Sequence, residues 1–177
     1  MTSLTREDAR ERAEVLAVDS YDVNLDLNLD GSGGRYFGSV STIRFNCAAA
    51  GESTFVDIAA HEIRSATLNG RSIDPASAFS PVTRRLTLSD LAEQNELSVD
   101  AVMKYSHDGE GLHRSVDPAD GQAYLYAMSF LDAAPRWFAC FDQPDLKAPV
   151  TIDVRCPADW HVAGNGPAQQ HDAGRWT

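Results

Sequence analysis

The chain is short of cysteine, of basic charge and of long apolar runs, and each shortage excludes something. Its three cysteines, Cys47, Cys140 and Cys156, form no CxxC or CxxH spacing. Neither a disulfide framework nor a zinc ribbon is written in that pattern, and three reduced, mostly buried thiols are expected. Fifteen lysines and arginines stand against 26 aspartates and glutamates, for a net charge of -11. A surface this negative is repelled by phosphate backbones and anionic lipid, so neither nucleic acid nor membrane is expected as a partner. No apolar run approaches the roughly 20 residues of a membrane span. The polar opening MTSLTREDARERAE does not read as a secretory leader, and a cytoplasmic location is expected.

What is present is alternation. Tyr21, Val23, Leu25, Leu27 and Leu29 alternate with Asp22, Asn24, Asp26, Asn28 and Asp30, the pattern of a strand with one buried and one wet face. Gly31-Ser32-Gly33-Gly34 then turns the chain into residues 36–45, where Phe37, Ile43 and Phe45 share a parity, so a long hairpin is expected. Further strands are expected over 54–59, 62–68, 71–73, 85–88 and 97–105. Asn69-Gly70 supplies a type I′ turn between the second and third of these. Val150, Ile152 and Val154 alternate again, and 160–163 reads as one more strand before the Gly164-Asn165-Gly166-Pro167 turn. One helix is expected, over 5–15. Thr5 and Asp8 are spaced as a capping box, and Ala9, Ala13 and Leu16 form a thin apolar stripe suited to an arm on the surface. Many strands at short intervals with no helix of core size predict an all-β, mainly antiparallel sandwich or saddle with a short N-terminal helix. The division expected is an arm over 1–17 and a β domain over 18–177. At this length a chain buries roughly 70% of its unfolded surface and needs no disulfide or metal to fold.

The stretch from Tyr124 to Pro149 stands apart. Tyr124, Tyr126, Phe130, Trp137, Phe138 and Phe141 crowd into it, and it runs on into Asp142-Gln143-Pro144-Asp145. Such a segment is expected to meet something: another domain, a ligand, or the domain's own second sheet. Residues 106–121, polar and glycine-rich, lead into it.

Catalytic and metal readings fail one after another. His61-Glu62 resembles half of an HExxH zinc site, but position 65 is Ser65 and the segment reads as a strand, whereas two histidines share a metal from one helix at i and i+4. His107 and His113 sit six apart in a glycine-rich loop with no cysteine nearby, and the intervening Asp108 and Glu110 are not taken to complete a tetrahedral set. Asp22, Asp26 and Asp30 line one strand face, where alternate side chains are about 7 Å apart and cannot converge on a cation. Asp142 and Asp145 flank Gln143-Pro144, a setting in which carboxylates cap backbone N–H groups more readily than they share a reacting bond. No serine stands in a nucleophile elbow, and no glycine-rich loop opens a helix. No catalytic residue and no metal ligand is assigned.

The order Gly111-Leu112-His113-Arg114-Ser115, then Tyr124-Leu125-Tyr126, then Phe138-Ala139-Cys140-Phe141-Asp142-Gln143-Pro144-Asp145-Leu146-Lys147-Ala148 resembles the N-terminal domain of the aminopeptidase N family of zinc metallopeptidases, in its actinobacterial form. The resemblance implies a β-saddle that sits on a thermolysin-like catalytic domain carrying Gly-Ala-Met-Glu-Asn and HExxH. None of these motifs occurs here. It therefore implies a chain that is inactive alone, holds no cofactor, and belongs with a zinc-bearing catalytic domain of the same polypeptide that acts on peptides. In the family a Gln-x-Glu element follows the Tyr-x-Tyr strand, its Glu anchoring the substrate's α-amine and its Gln lining the first pocket. The matching positions here are Met128 and Phe130, the two substrate-binding candidates, and neither can hold an ammonium as a carboxylate does. A free-standing β-sandwich binding module with an aromatic recognition surface is the rival reading.

Overall fold

The computed structural model describes residues 4–28 and 34–177, so that Leu29, Asp30 and the expected turn at Gly31-Ser32-Gly33 lie outside the described residues. In chain order the elements are α1 (Arg6–Val15), β1 (Leu16–Asp26), β2 (Tyr36–Cys47), β3 (Thr54–Asp57), β4 (Glu62–Leu68), β5 (Arg71–Ile73), a short α2 (Pro75–Ala78), β6 (Phe79–Ser80), β7 (Arg85–Leu88), β8 (Gln94–Lys104), β9 (Gly111–Val116), β10 (Ala123–Met128), a 3-10 turn (Ala134–Arg136), β11 (Val150–Arg155), β12 (Gln170–Asp172) and β13 (Arg175–Trp176). The all-β, antiparallel-dominated class expected from the alternation is the one observed.

Eight strands form the large sheet in the order β12-β13-β11-β1-β2-β8-β4-β5. The alternation works as anticipated: Tyr21, Val23 and Leu25 of β1 are buried, and so are Phe37, Ile43 and Phe45 of β2 and Leu97, Val99, Ala101 and Met103 of β8. Their wet faces carry paired charges. The Asp22 carboxylate and Glu96 bond Arg44, and Asp26 accepts the Asn28 N–H at 3.0 Å, so these aspartates are used within the sheet. Asn69 and Gly70 both adopt positive φ, 54° and 75°, as a type I′ turn between β4 and β5 requires. A three-stranded sheet, β3-β7-β6, and the separate hairpin of β9 and β10 complete the strands. Val56, Leu86 and Leu88 from the small sheet, with Ile58 just after β3, share one apolar core with the large sheet.

Two arrangements differ from the sequence expectation. β1 begins at Leu16, not Tyr21, and it pairs on its second edge with β11 in parallel, Tyr21 opposite Val150 and Asp26 opposite Arg155. The expected strand over 160–163 joins no ladder. The place beside β11 is taken by β13, with Val154 opposite Trp176, and Trp160 instead donates its N–H to Pro157 O in a turn.

Helix α1 is capped as its spacing predicts: Thr5 Oγ1 accepts from Asp8 N at 3.1 Å and the Asp8 carboxylate accepts from Thr5 N. Between Ala9 and Ala13, however, Arg12 points inward and is 94% shielded. Its Nε donates to Gln143 Oε1 at 2.8 Å, and the guanidinium stacks over Phe55 with its carbon 4.6 Å from the ring centroid. Gln143 Nε2 returns a bond to Ala9 O at 2.7 Å. The helix is thereby tied to the Asp142-Gln143-Pro144-Asp145 loop.

Candidate functional site

The aromatic stretch divides at Ala133. From Ala133 to Phe141 the chain is packed away: Trp137, Phe138, Ala139, Cys140 and Phe141 are buried. Phe138 meets Tyr21 edge-on at 6.0 Å and Phe141 meets Phe45 at 5.1 Å. Backbone bonds fix this half as firmly. Asp57 and Cys140 exchange N–H···O bonds at 2.8 and 3.1 Å, Ala139 N donates to Ser41 Oγ, and Phe141 N donates to the Tyr21 hydroxyl. Burial raises the Tyr21 hydroxyl far above its ordinary range and raises the Cys140 thiol well above its own, so neither ionises in the working range. The thiol is structural.

Before Ala133 the side chains face outward. Tyr124 and Tyr126 are about half exposed, Met128 is 38% exposed, and Phe130 and Leu131 are 72% and 76% exposed. A phenylalanine left this open forgoes about 2 kcal/mol of burial. Its backbone is nevertheless held. Ser129 Oγ accepts from Trp137 Nε1 at 2.9 Å, and Phe130 O accepts from Ala133 N at 2.9 Å. Asp132 adopts φ 65° in the turn that follows. Met128 lies opposite Gly111 at the end of the hairpin. Gly111 adopts φ +68°, and a Cβ there would stand 2.7 Å from Arg136 Cβ, so only glycine permits this approach. Arg136 then bonds Asp108 at 2.8 Å and Glu110 at 3.2 Å, clamping the 106–111 loop to the 3-10 turn.

Met128 and Phe130 are therefore apolar side chains on a fixed backbone, brought together at one end of β10. Alongside β10 runs a cleft of about 760 Å3 whose walls include Tyr124, Tyr126, Leu25, Leu27, Val150 and Ile152. Asp142 and Asp145 do not converge as an acid/base pair. Asp142 is half-buried and its N–H donates to the Asp57 carboxylate at 3.3 Å, while Asp145 is exposed. Burial first, then the nearby Asp57 carboxylate, raises the Asp142 carboxyl above its ordinary range.

The histidines do not fit a metal. The His107 and His113 rings are 6.2 Å apart by centroid, each with Nδ1 engaged by backbone (Arg114 O and Gly109 N), and His61 stacks on Tyr36. Among the described residues no group of three or more His, Cys, Asp and Glu is placed to hold an ion. No helix among them is long and apolar enough to cross a membrane. Two features escaped the reading of the sequence: the buried Arg12–Gln143 link and the Arg136 clamp. The first had a usable signal, since Arg12 shares a helix face with Ala9, Ala13 and Leu16. The second depends on a contact between segments far apart in sequence and had none.

Comparison with known proteins agrees with this picture. The sequence profile of the peptidase M1 N-terminal domain matches residues 17–176. Aminopeptidase N of Streptomyces lividans is 44% identical over 176 residues, which are 99% of this chain and 20% of that protein. The chain thus spans about a fifth of the length of the curated relative it matches. Among solved structures, native yeast LTA4 hydrolase superposes with a TM-score of 0.72 at 18% identity, over 92% of this chain and 26% of that one. An M1 zinc metallopeptidase from Deinococcus radiodurans superposes with a TM-score of 0.64 at 17% identity, over 92% and 38% respectively. At such identities the two structures speak to the fold.

Proposed function

The chain belongs to the peptidase M1 N-terminal domain family, and from that premise we propose that it is the non-catalytic N-terminal domain of a cytoplasmic zinc aminopeptidase. It docks on the catalytic domain of the same polypeptide and forms part of the wall of the cleft in which peptides lose their N-terminal residue. Zinc and the hydrolytic groups belong to that catalytic domain. This chain contributes shape and polarity. The observation that carries the reading is the firmly held, outward-facing run of Met128, Phe130 and Leu131 at the open end of β10. A monomer that kept these three in water would gain nothing from anchoring the backbone beneath them, whereas a wall built for a partner requires it.

Met128 and Phe130 stand nearest the substrate in this proposal, where the family pattern has Gln and Glu. Without that carboxylate the α-ammonium of a substrate loses one desolvated partner. Such a loss costs about 2–5 kcal/mol, or about 30- to several-thousand-fold in affinity. The test is to assay the full-length enzyme on alanyl and leucyl anilides beside the double variant Met128→Gln/Phe130→Glu. A weak native enzyme whose kcat/KM rises by on the order of 30-fold or more in the variant supports the assignment. Ordinary native efficiency with no gain in the variant overturns it.

A further inference from the structure

Asparagine or aspartate followed by glycine is a reactive pair in water. The glycine nitrogen can attack the preceding side-chain Cγ, and with no Cβ beside it little obstructs the approach. Four such pairs lie among the described residues: Asn69-Gly70, Asp108-Gly109, Asp120-Gly121 and Asn165-Gly166. Three of them are restrained. The Asn69 carboxamide is held at both ends, Nδ2 donating to Asn95 Oδ1 at 3.0 Å and Oδ1 accepting from Glu96 N at 2.8 Å. The Asp108 carboxylate accepts from Arg136 at 2.8 Å, and Gly109 N donates to His113 Nδ1 at 3.1 Å. The Asp120 carboxylate accepts from Gln122 N at 2.8 Å and from the Tyr124 hydroxyl at 2.7 Å, while Gly121 N donates to Asp117 O at 2.7 Å. Where the nitrogen or the side chain is bonded elsewhere, ring closure waits for those bonds to open.

Asn165-Gly166 differs in each respect. Both residues are exposed and lie outside every strand and helix. Among the described residues none hydrogen-bonds the Asn165 carboxamide or the Gly166 N–H. A Cβ built at position 166 would meet nothing within 4 Å, so the nitrogen is open to approach. The pair borders the same cleft as residues 122–127.

We infer that Asn165 is a site of spontaneous covalent modification, its deamidation to aspartate and isoaspartate, while the fold protects Asn69. Gly166 N gives up its proton to solvent base and bonds to Asn165 Cγ. The Cγ–Nδ2 bond breaks, and Nδ2 takes a proton from water and leaves as ammonia. Water then opens the cyclic imide. Addition at Cγ yields aspartate on the ordinary backbone, whereas addition at the main-chain carbonyl carbon leaves the backbone running through Cγ as isoaspartate. Nothing is oxidised or reduced: one water is consumed and one ammonia released. Either product adds a carboxylate to a chain of net charge -11, and isoaspartate also lengthens the backbone beside the cleft. An exposed segment that joins no ladder absorbs both changes, so the altered protein stays folded. The inference is independent of any role for Met128 or Phe130.

The experiment holds the full-length protein in mildly alkaline buffer, then digests it and maps the peptides by mass. The peptide carrying Asn165 should gain the mass difference between asparagine and aspartate faster than the peptide carrying Asn69, by on the order of tenfold or more. It should also accept labelled methyl groups from a carboxyl methyltransferase specific for isoaspartate. In denaturant the two asparagines should react at comparable rates, since each precedes glycine and only the fold separates them. Gly166→Ala should slow the reaction at Asn165 by on the order of tenfold and leave Asn69 as it was. An Asn165 that stays intact in the folded protein overturns the proposal, as does an Asn69 that reacts equally fast. The same large ratio in denaturant also overturns it, because the selectivity would then lie in the neighbouring sequence. An undiminished rate in Gly166→Ala does so too. If that variant does not fold, the native rates with and without denaturant decide alone.

Discussion

The two halves of the aromatic stretch have similar composition and opposite fates. Tyr124 to Asp132 holds Tyr124, Tyr126, Met128, Phe130 and Leu131 in the open, whereas Ala133 to Phe141 seals Trp137, Phe138 and Phe141 in the core. Aromatic density alone does not mark an interface. What separates the halves is backbone. The outer half is a two-stranded hairpin whose side chains project to both faces, with only one face able to reach the core. The inner half is irregular chain whose N–H groups are claimed by Asp57, Ser41 and Tyr21, which draws its rings inward.

That contrast can be broken by substitution. Phe141→Ala empties a core site and should lower stability by about 3–5 kcal/mol, read as a shift in the denaturant midpoint. A loss below about 1 kcal/mol would place Phe141 with the outer half. Arg12→Met removes the donor to Gln143 from a buried position and should cost about 2–3 kcal/mol in the same measurement, with earlier amide exchange in helix α1. The Asp142 carboxyl, raised by burial above its ordinary value of 3.8, binds its proton more tightly folded than unfolded. Its contribution is therefore present in full at low pH and is lost as pH rises through the raised value. Asp142→Asn should gain stability relative to the native chain on going from about pH 4 to about pH 7, and a pH-independent difference would contradict the burial argument. Phe130→Ser should be the smallest, within about 0.5 kcal/mol, because the ring makes no core contact. A larger loss would mean that the outer half is packed after all.

Much of this fold is legible where the physics is local. Side chains alternating at period two along β1, β2 and β8, and the Asn69-Gly70 turn, need only neighbouring residues to be understood. The parallel pairing of β1 with β11 joins segments with most of the chain between them, and no periodicity announces it. The same holds for Arg136 and Asp108. At the candidate site, Met128 and Phe130 could be named only through family likeness, since an apolar residue in a strand reads the same whether it faces a core or a partner. Residues 160–163 carry the pattern of a strand, but a pattern gains a ladder only where an edge is within reach.

The parallel neighbour of β1 has a consequence for synthesis. Tyr21 leaves the ribosome early, Val150 late, and they must lie side by side. Until then the strand next to the middle of the large sheet has one naked flank, exposed to other nascent chains as well as to its own missing neighbour. On its wet face Asp22 and Glu96 share the one Arg44 guanidinium and Asp26 adds a further carboxylate, a net negative charge that keeps like chains apart during that wait.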